Sequence, residues 1–158
     1  MKLAPAMDEN TLAGIYNFRR LTDRLATAGQ PTEAELVALA QAGYEVVVNL
    51  ALHDAEYSLP NERKTVEALG VRYVHIPVAW SRPLRSDLER FFSIMDELSD
   101  KRVFVHCAAN KRVSAFIALH RILRLGWERD AAFAEMHAVW EPDAVWTRFL
   151  NDMLASEG

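Results

Sequence analysis

The stretch VFVHCAANKRVSAF, Val103–Phe116, carries the chain's single cysteine. A thiol stands where an apolar run ends. A short polar loop with two cations follows, and then a helix-like pattern. Loop N–H groups and a helix N-terminus would converge on one point there, which makes a ready anion site. The same field favours the thiolate of Cys107, the form of cysteine that attacks electrophiles. Arg112 supplies a planar, permanently charged fork for two anionic oxygens. A tight cradle needs one residue at positive φ, and Asn110 is the residue type most tolerant of it after glycine. The candidate anion-binding set is therefore Ala108, Ala109, Asn110, Lys111, Arg112, Val113 and Ser114, with a helix expected to begin near Val113.

Such a loop needs a strand behind it and a helix in front of it, and the pattern supplies both. GIYNFRRL and RLATAG read as short strands. Thr32 and Glu35 form a capping box for a helix that buries Leu36 and Leu39 and ends at Gly43. EVVVNLA is a continuous apolar run, as a strand buried on both faces requires. NERKTVEALG reads as a helix ending at Gly70, and VRYVHIPV as a strand stopped by Pro77. SDLERFFSIMDELSD places Leu88, Phe91, Phe92, Met95 and Leu98 on one helical face. KRVFVHC is a further strand, and RVSAFIALHRILRLG a long helix ending at Gly126. Helices near 129–139 and 143–155 complete the chain, with Pro142 and Asp143 as a helix start.

Strands alternating with helices at this spacing predict an α/β fold: a single-domain three-layer sandwich over residues 1–158. Its central sheet would have four or five mostly parallel strands, with helices on both faces and residues 1–10 as a loose tail. Ligands of such sheets bind at the carboxyl ends of the strands, where Cys107 falls.

The 158 residues are 51% hydrophobic with a net charge of −4. That suffices for one core and shows no basic footprint for nucleic acid. No apolar run approaches the ~20 residues that cross a bilayer. One cysteine makes no internal disulfide, and a cytoplasmic setting is the expectation. The histidines lack metal-ligand spacing, so neither metal nor cofactor is expected.

The His-Cys-loop-Arg order resembles the signature of the cysteine-dependent tyrosine and dual-specificity phosphatases, and the likeness runs from about Ala13 to Arg124. LATAGQPT and HIPV are similar to a bacterial branch, the phosphatase-like domains sometimes fused to β-lactamase-like hydrolases. The resemblance implies a phosphorylated substrate, Cys107 as nucleophile forming a phosphocysteine, Arg112 as oxyanion clamp and an Asp as leaving-group acid. Two departures stand out. Four residues separate Cys107 from Arg112 where the usual signature has five, which puts Val113 at the usual arginine position and displaces the hydroxyl to Ser114. The bacterial branch is similar in this spacing, and so are rhodanese-type sulfurtransferases. No Asp stands beside Trp80, where the family acid is expected. Asp54 ranks first as its replacement, ahead of Asp87, which also suits a helix N-terminus; Glu56 is a further candidate.

Plainer roles weigh against several of these residues. His106 alternates to the face opposite Cys107 and reads as a structural histidine bonding the loop backbone. Lys111 serves equally as a solvated cation or a ligand, and Ser114 as a self-bonding helix residue or a partner of the departing thiolate. Arg82 and Arg85 read as solvated loop cations in preference to substrate-recruiting ones, and Trp140 and Trp146 as packing. Beside phosphatase chemistry, two alternatives stay open: sulfur transfer, and phosphate binding without turnover.

Overall fold

The computed structural model describes residues 11–157; the tail expected over residues 1–10 lies outside them. Strands β1 (Arg19–Thr22) and β2 (Leu25–Ala28) form an antiparallel hairpin. They are followed by α1 (Glu33–Gln41), β3 (Val46–Asn49), α2 (Glu62–Ala68), β4 (Arg72–His75) and α3 (Arg85–Glu97). Then come β5 (Val103–His106), α4 (Lys111–Leu123), α5 (Arg129–His137) and α6 (Ala144–Glu157). The sheet runs β1-β2-β5-β3-β4, and every pairing except β1 with β2 is parallel. This is the five-stranded α/β sandwich the pattern predicts.

Period-two alternation divides each central strand between two cores. Val46 and Val48 of β3, with Val103 and Val105 of β5, face one cluster, which α3, α4, α5 and α6 cover. Val47 and Phe104 face the other, closed by Leu36 and Leu39 of α1 and Val66 of α2. Both faces are buried, which is why VVV of β3 and VFV of β5 are unbroken apolar runs. Phe104, Phe91 and Phe116 are fully buried; truncating any one to alanine should cost about 3–5 kcal/mol.

Local signals hold where they have a side-chain mechanism. Thr32 accepts from the Glu35 N–H at 3.1 Å, and Glu35 accepts from the Thr32 N–H at 2.8 Å. Gly43 and Gly70 stand at positive φ just past α1 and α2. Boundaries move: β1 begins only at Arg19, after a turn over residues 14–17, and α4 begins at Lys111, two residues before the expected start. Asn110 turns the chain by itself at φ 67°, and its carbonyl accepts the Ser114 N–H at 2.9 Å. Arg112 thereby joins the first helical turn.

Candidate active site

The site grows from the centre of the sheet. β5 lies between β2 and β3, so its carboxyl end is held from both sides. The alternation continues past the strand. His106 follows Phe104 onto one face, their rings 5.7 Å apart, and Cys107 follows Val105 into the opposite core. The Cys107 N–H donates to the Ala28 carbonyl at 3.3 Å.

Beyond Cys107 the chain's carbonyls are drawn to one side. The Gln30 N–H donates to the Ala108 carbonyl at 3.0 Å, and the Asn17 amide donates to the Ala109 carbonyl at 3.0 Å. Asn110 takes its left-handed turn fully buried, its amide donating to the Asn17 carbonyl at 2.9 Å and to Thr27 Oγ1 at 3.0 Å. No side chain caps the N-terminus of α4. The first-turn N–H groups of a helix have no acceptor within it, so those of α4 are available to an anion.

Cys107, Ala108, Ala109, Lys111 and Arg112 line one cleft of about 450 Å³, together with Leu52, Ala55, Tyr57 and Trp80. Arg112 is nearly buried and braced from two directions. It donates to the Val78 carbonyl at 2.8 Å and to the Tyr57 hydroxyl at 3.2 Å. Those bonds use two of a guanidinium's five donors and leave the others for a ligand. The Tyr57 hydroxyl also accepts the Leu52 N–H at 3.3 Å, which ties the loop after β3 to the site. Trp80 forms the far wall. Its carbonyl accepts the indole N–H of the buried Trp146 at 2.8 Å, so α6 fixes that wall.

The expected residues divide. Cys107, Ala108, Ala109, Lys111 and Arg112 meet at the cleft, and the Lys111 ammonium stands 5.8 Å from the Trp140 ring centre. Asn110 and Val113 serve from behind: Asn110 points its amide at Thr27, and Val113 is wholly buried in the core. The Ser114 hydroxyl donates to the Lys111 carbonyl at 2.8 Å, the self-bonding arrangement. Asp54 is exposed on the loop that also carries Leu52, Ala55 and Tyr57, but it does not line the cleft itself. Asp87 accepts the Leu84 N–H at 3.1 Å at the start of α3, a capping role, and burial pushes its carboxyl above the usual range. Arg85 reaches the Ser156 hydroxyl on α6, and neither it nor Arg82 lines the cleft.

One functional neighbour escapes sequence reasoning. Glu62, at the start of α2, is 3% exposed, and its carboxylate lies 2.6 Å from His106 Nε2. Burial raises its pKa, but the attraction of His106 and hydrogen bonds from His106 and Gln30 outweigh that and leave it below the ordinary value. A fully buried histidine demands a partner, which was the only signal available. A second cluster sits nearby: His53 and His75 stack with ring centres 3.7 Å apart, and the Tyr73 hydroxyl is 2.8 Å from His53 Nε2. Among the described residues there is no grouping of side chains able to hold a metal ion, and no helix long and apolar enough to cross a membrane.

A parallel sheet with a thiol, an uncapped helix N-terminus and a braced arginine at one strand end is the architecture of the cysteine-dependent phosphatase superfamily. The comparisons with known proteins agree. A family described as a DSP-PTPase phosphatase fused to NAD+ kinase matches residues 15–143, and the chain belongs to that family. A candidate phosphatase (DUF442) structure from Shewanella putrefaciens CN-32 is 33% identical, with a TM-score of 0.83 over 94% of this chain and 98% of that one. The active form of Tk-PTP is 25% identical, with a TM-score of 0.69 over 89% of this chain and 95% of that one. The beta-lactamase hydrolase-like protein of Xylella fastidiosa (strain Temecula1) is 27% identical over 75% of this chain, which spans 28% of that protein.

Proposed function

We propose that the protein hydrolyses a phosphomonoester through a phosphocysteine intermediate. The observation that carries this reading is that Cys107 and Arg112 open on one cleft at the uncapped N-terminus of α4. The bridging ester oxygen would point out of the cleft, and the other phosphoryl oxygens would take the free Arg112 donors and the first-turn N–H groups. The Cys107 thiolate attacks phosphorus, the P–O ester bond breaks, and the leaving oxygen takes a proton from Asp54, brought in with its loop. Water then gives a proton to the Asp54 carboxylate as it attacks phosphorus, the S–P bond breaks, and inorganic phosphate leaves with the thiolate and the Asp54 acid both restored. Phosphoryl transfer asks the protein mainly for positioning and for charges fixed where negative charge spreads. Two bonds brace Arg112, so it is in place before substrate arrives.

A persulfide on Cys107 would present a single anionic sulfur to the cleft, whereas a phosphoryl group presents several oxygens to the free Arg112 donors and the first-turn N–H groups. The likeness to proteins described as phosphatases favours phosphate chemistry over sulfur transfer and over binding without turnover. The substrate is a phosphorylated molecule that presents its phosphate on a stem long enough to reach Cys107, which is 1% exposed.

The test is hydrolysis of p-nitrophenyl phosphate by the purified protein. Turnover should disappear in Cys107→Ser and fall at least a hundredfold in Arg112→Ala. Wild-type turnover no higher than that of Cys107→Ser would refute the proposal.

A further inference from the structure

Three successive carbonyls follow the β5 strand, and all three are restrained: Cys107 by His106 Nδ1 at 3.2 Å, Ala108 by the Gln30 N–H, and Ala109 by the Asn17 amide. Two of the three restraints lead back to one side chain. One oxygen of Glu62 lies 2.6 Å from His106 Nε2, and the other accepts the Gln30 side-chain amide at 2.9 Å. We propose that Glu62 is the positioning residue of the anion loop, holding His106 and Gln30 so that the Cys107 and Ala108 carbonyls stay turned out of the phosphate site. This deepens the proposed function and rests on Cys107 and its loop being the anion site.

Hydrogen-bond counting gives the reason. A carbonyl oxygen only accepts, so His106 Nδ1 must carry a proton to bond Cys107. One further proton must then lie between Nε2 and the carboxylate. The pair thus holds two protons and is neutral as a unit, whichever atom carries the second. Without Glu62, His106 would be free to take the other tautomer, in which Nδ1 has no proton and repels the carbonyl. That carbonyl could then rotate and present its negative end to the phosphate. Glu62 is well placed to prevent this. It is 3% exposed, it comes from a different element than either residue it holds, and Asn61 at φ 58° turns the chain into α2 just before it. A carboxylate this deeply buried needs partners of this kind to be tolerated at all.

The test uses the single thiol. Alkylation of Cys107 by iodoacetamide is measured against inorganic phosphate, and the protecting concentration is read as an apparent Kd, alongside thermal unfolding and p-nitrophenyl phosphate turnover. Glu62→Met should weaken phosphate protection at least tenfold in protein that is still folded at the assay temperature. Glu62→Gln, which can donate to His106 Nε2 while accepting from Gln30, should restore protection to within about threefold of wild type. A purely structural role would lower the unfolding temperature of Glu62→Met and leave the apparent Kd of its folded fraction unchanged; that result overturns the proposal. Where Glu62→Met does not fold, Gln30→Met decides. It removes one arm of the bracket and should weaken protection at least threefold, and an unchanged Kd overturns the proposal. The protection readout is independent of turnover. A wild-type protein that binds phosphate but hydrolyses nothing sinks the proposed function and leaves Glu62 to be judged on protection alone.

Discussion

Arg112 Nη2 donates to the Tyr57 hydroxyl at 3.2 Å, joining the first turn of α4 to the loop that follows β3. The cleft is therefore assembled from the segments that follow two neighbouring strands, β5 and β3, and the aim of Arg112 depends on a residue of the second segment. Tyr57→Phe keeps the ring and removes only the acceptor. A hydrogen bond to a charged group in a partly exposed setting contributes on the order of 1.5 kcal/mol. We expect kcat/KM for p-nitrophenyl phosphate to fall about tenfold, with the unfolding temperature little changed. Steady-state kinetics that match wild type would show that the Val78 carbonyl alone aims Arg112.

Asp54 is exposed on that same loop, and its proposed task is to protonate the leaving oxygen. General acid catalysis of this kind supplies about 10²–10⁴-fold. An alkyl leaving group needs the proton, whereas nitrophenolate departs without much help. Asp54→Asn should therefore depress hydrolysis of an alkyl phosphomonoester about a hundredfold or more, with a much smaller loss on p-nitrophenyl phosphate. Equal losses on both substrates would remove Asp54 from the role and turn attention to Glu56.

Gly29 tests how closely β2 clasps the loop. A Cβ there would lie 2.5 Å from the Ala108 carbonyl oxygen and 3.1 Å from the Ala109 Cα, both backbone atoms with nowhere to yield. Gly29→Ala should displace the loop. Phosphate protection of Cys107 should weaken at least tenfold, together with a loss of stability of about 1–3 kcal/mol from overpacking. Denaturant melts and the alkylation assay read the two effects separately.

Acid should weaken the fold before it reaches any carboxylate. Burial holds the imidazoles of His75 and His120 below the usual histidine range, the stacked His53 adding to the effect on His75. In the unfolded chain both take up protons near the ordinary value of 6.5. Below that pH the unfolded state holds more protons than the folded one, so stability declines as pH falls from about 6.5 toward the depressed folded values. It is fully present above that range. Glu62, also held below its ordinary value, adds a second loss only at lower pH, below about 4.5. Thermal unfolding between pH 8 and 5 should show the first decline, and the His75→Gln, His120→Gln double variant should flatten it.

Much of this was written in single residues. Asn110 announced a left-handed turn because few side chains tolerate one, and its φ of 67° is that turn. The β3 and β5 strands were legible because burial on both faces leaves no polar alternation to misread. Thr32 and Glu35 fixed the start of α1 through bonds three residues apart. Glu62 and Tyr57 were not legible. Each acts on a residue far away in sequence, and in its own segment each reads as an ordinary helix acid or loop aromatic. The start of α4 lies two residues before the one the pattern suggests because the backbone of Asn110, with no side-chain cap, sets it. Asp87 reads better as a helix-start residue than as an acid, and its bond to the Leu84 N–H places it there.

β5 completes the sheet by entering between two strands made much earlier in the chain, β2 on one side and β3 on the other. Such non-local pairings close late, after the loops that span them have paid their entropy. A nascent or partly folded chain thus has the thiol without the anion site proposed around it, because the clasp from Ala28 and Gln30 and the brace from Tyr57 do not yet exist. Phosphate-sensitive thiol reactivity would then mark the final step of assembly.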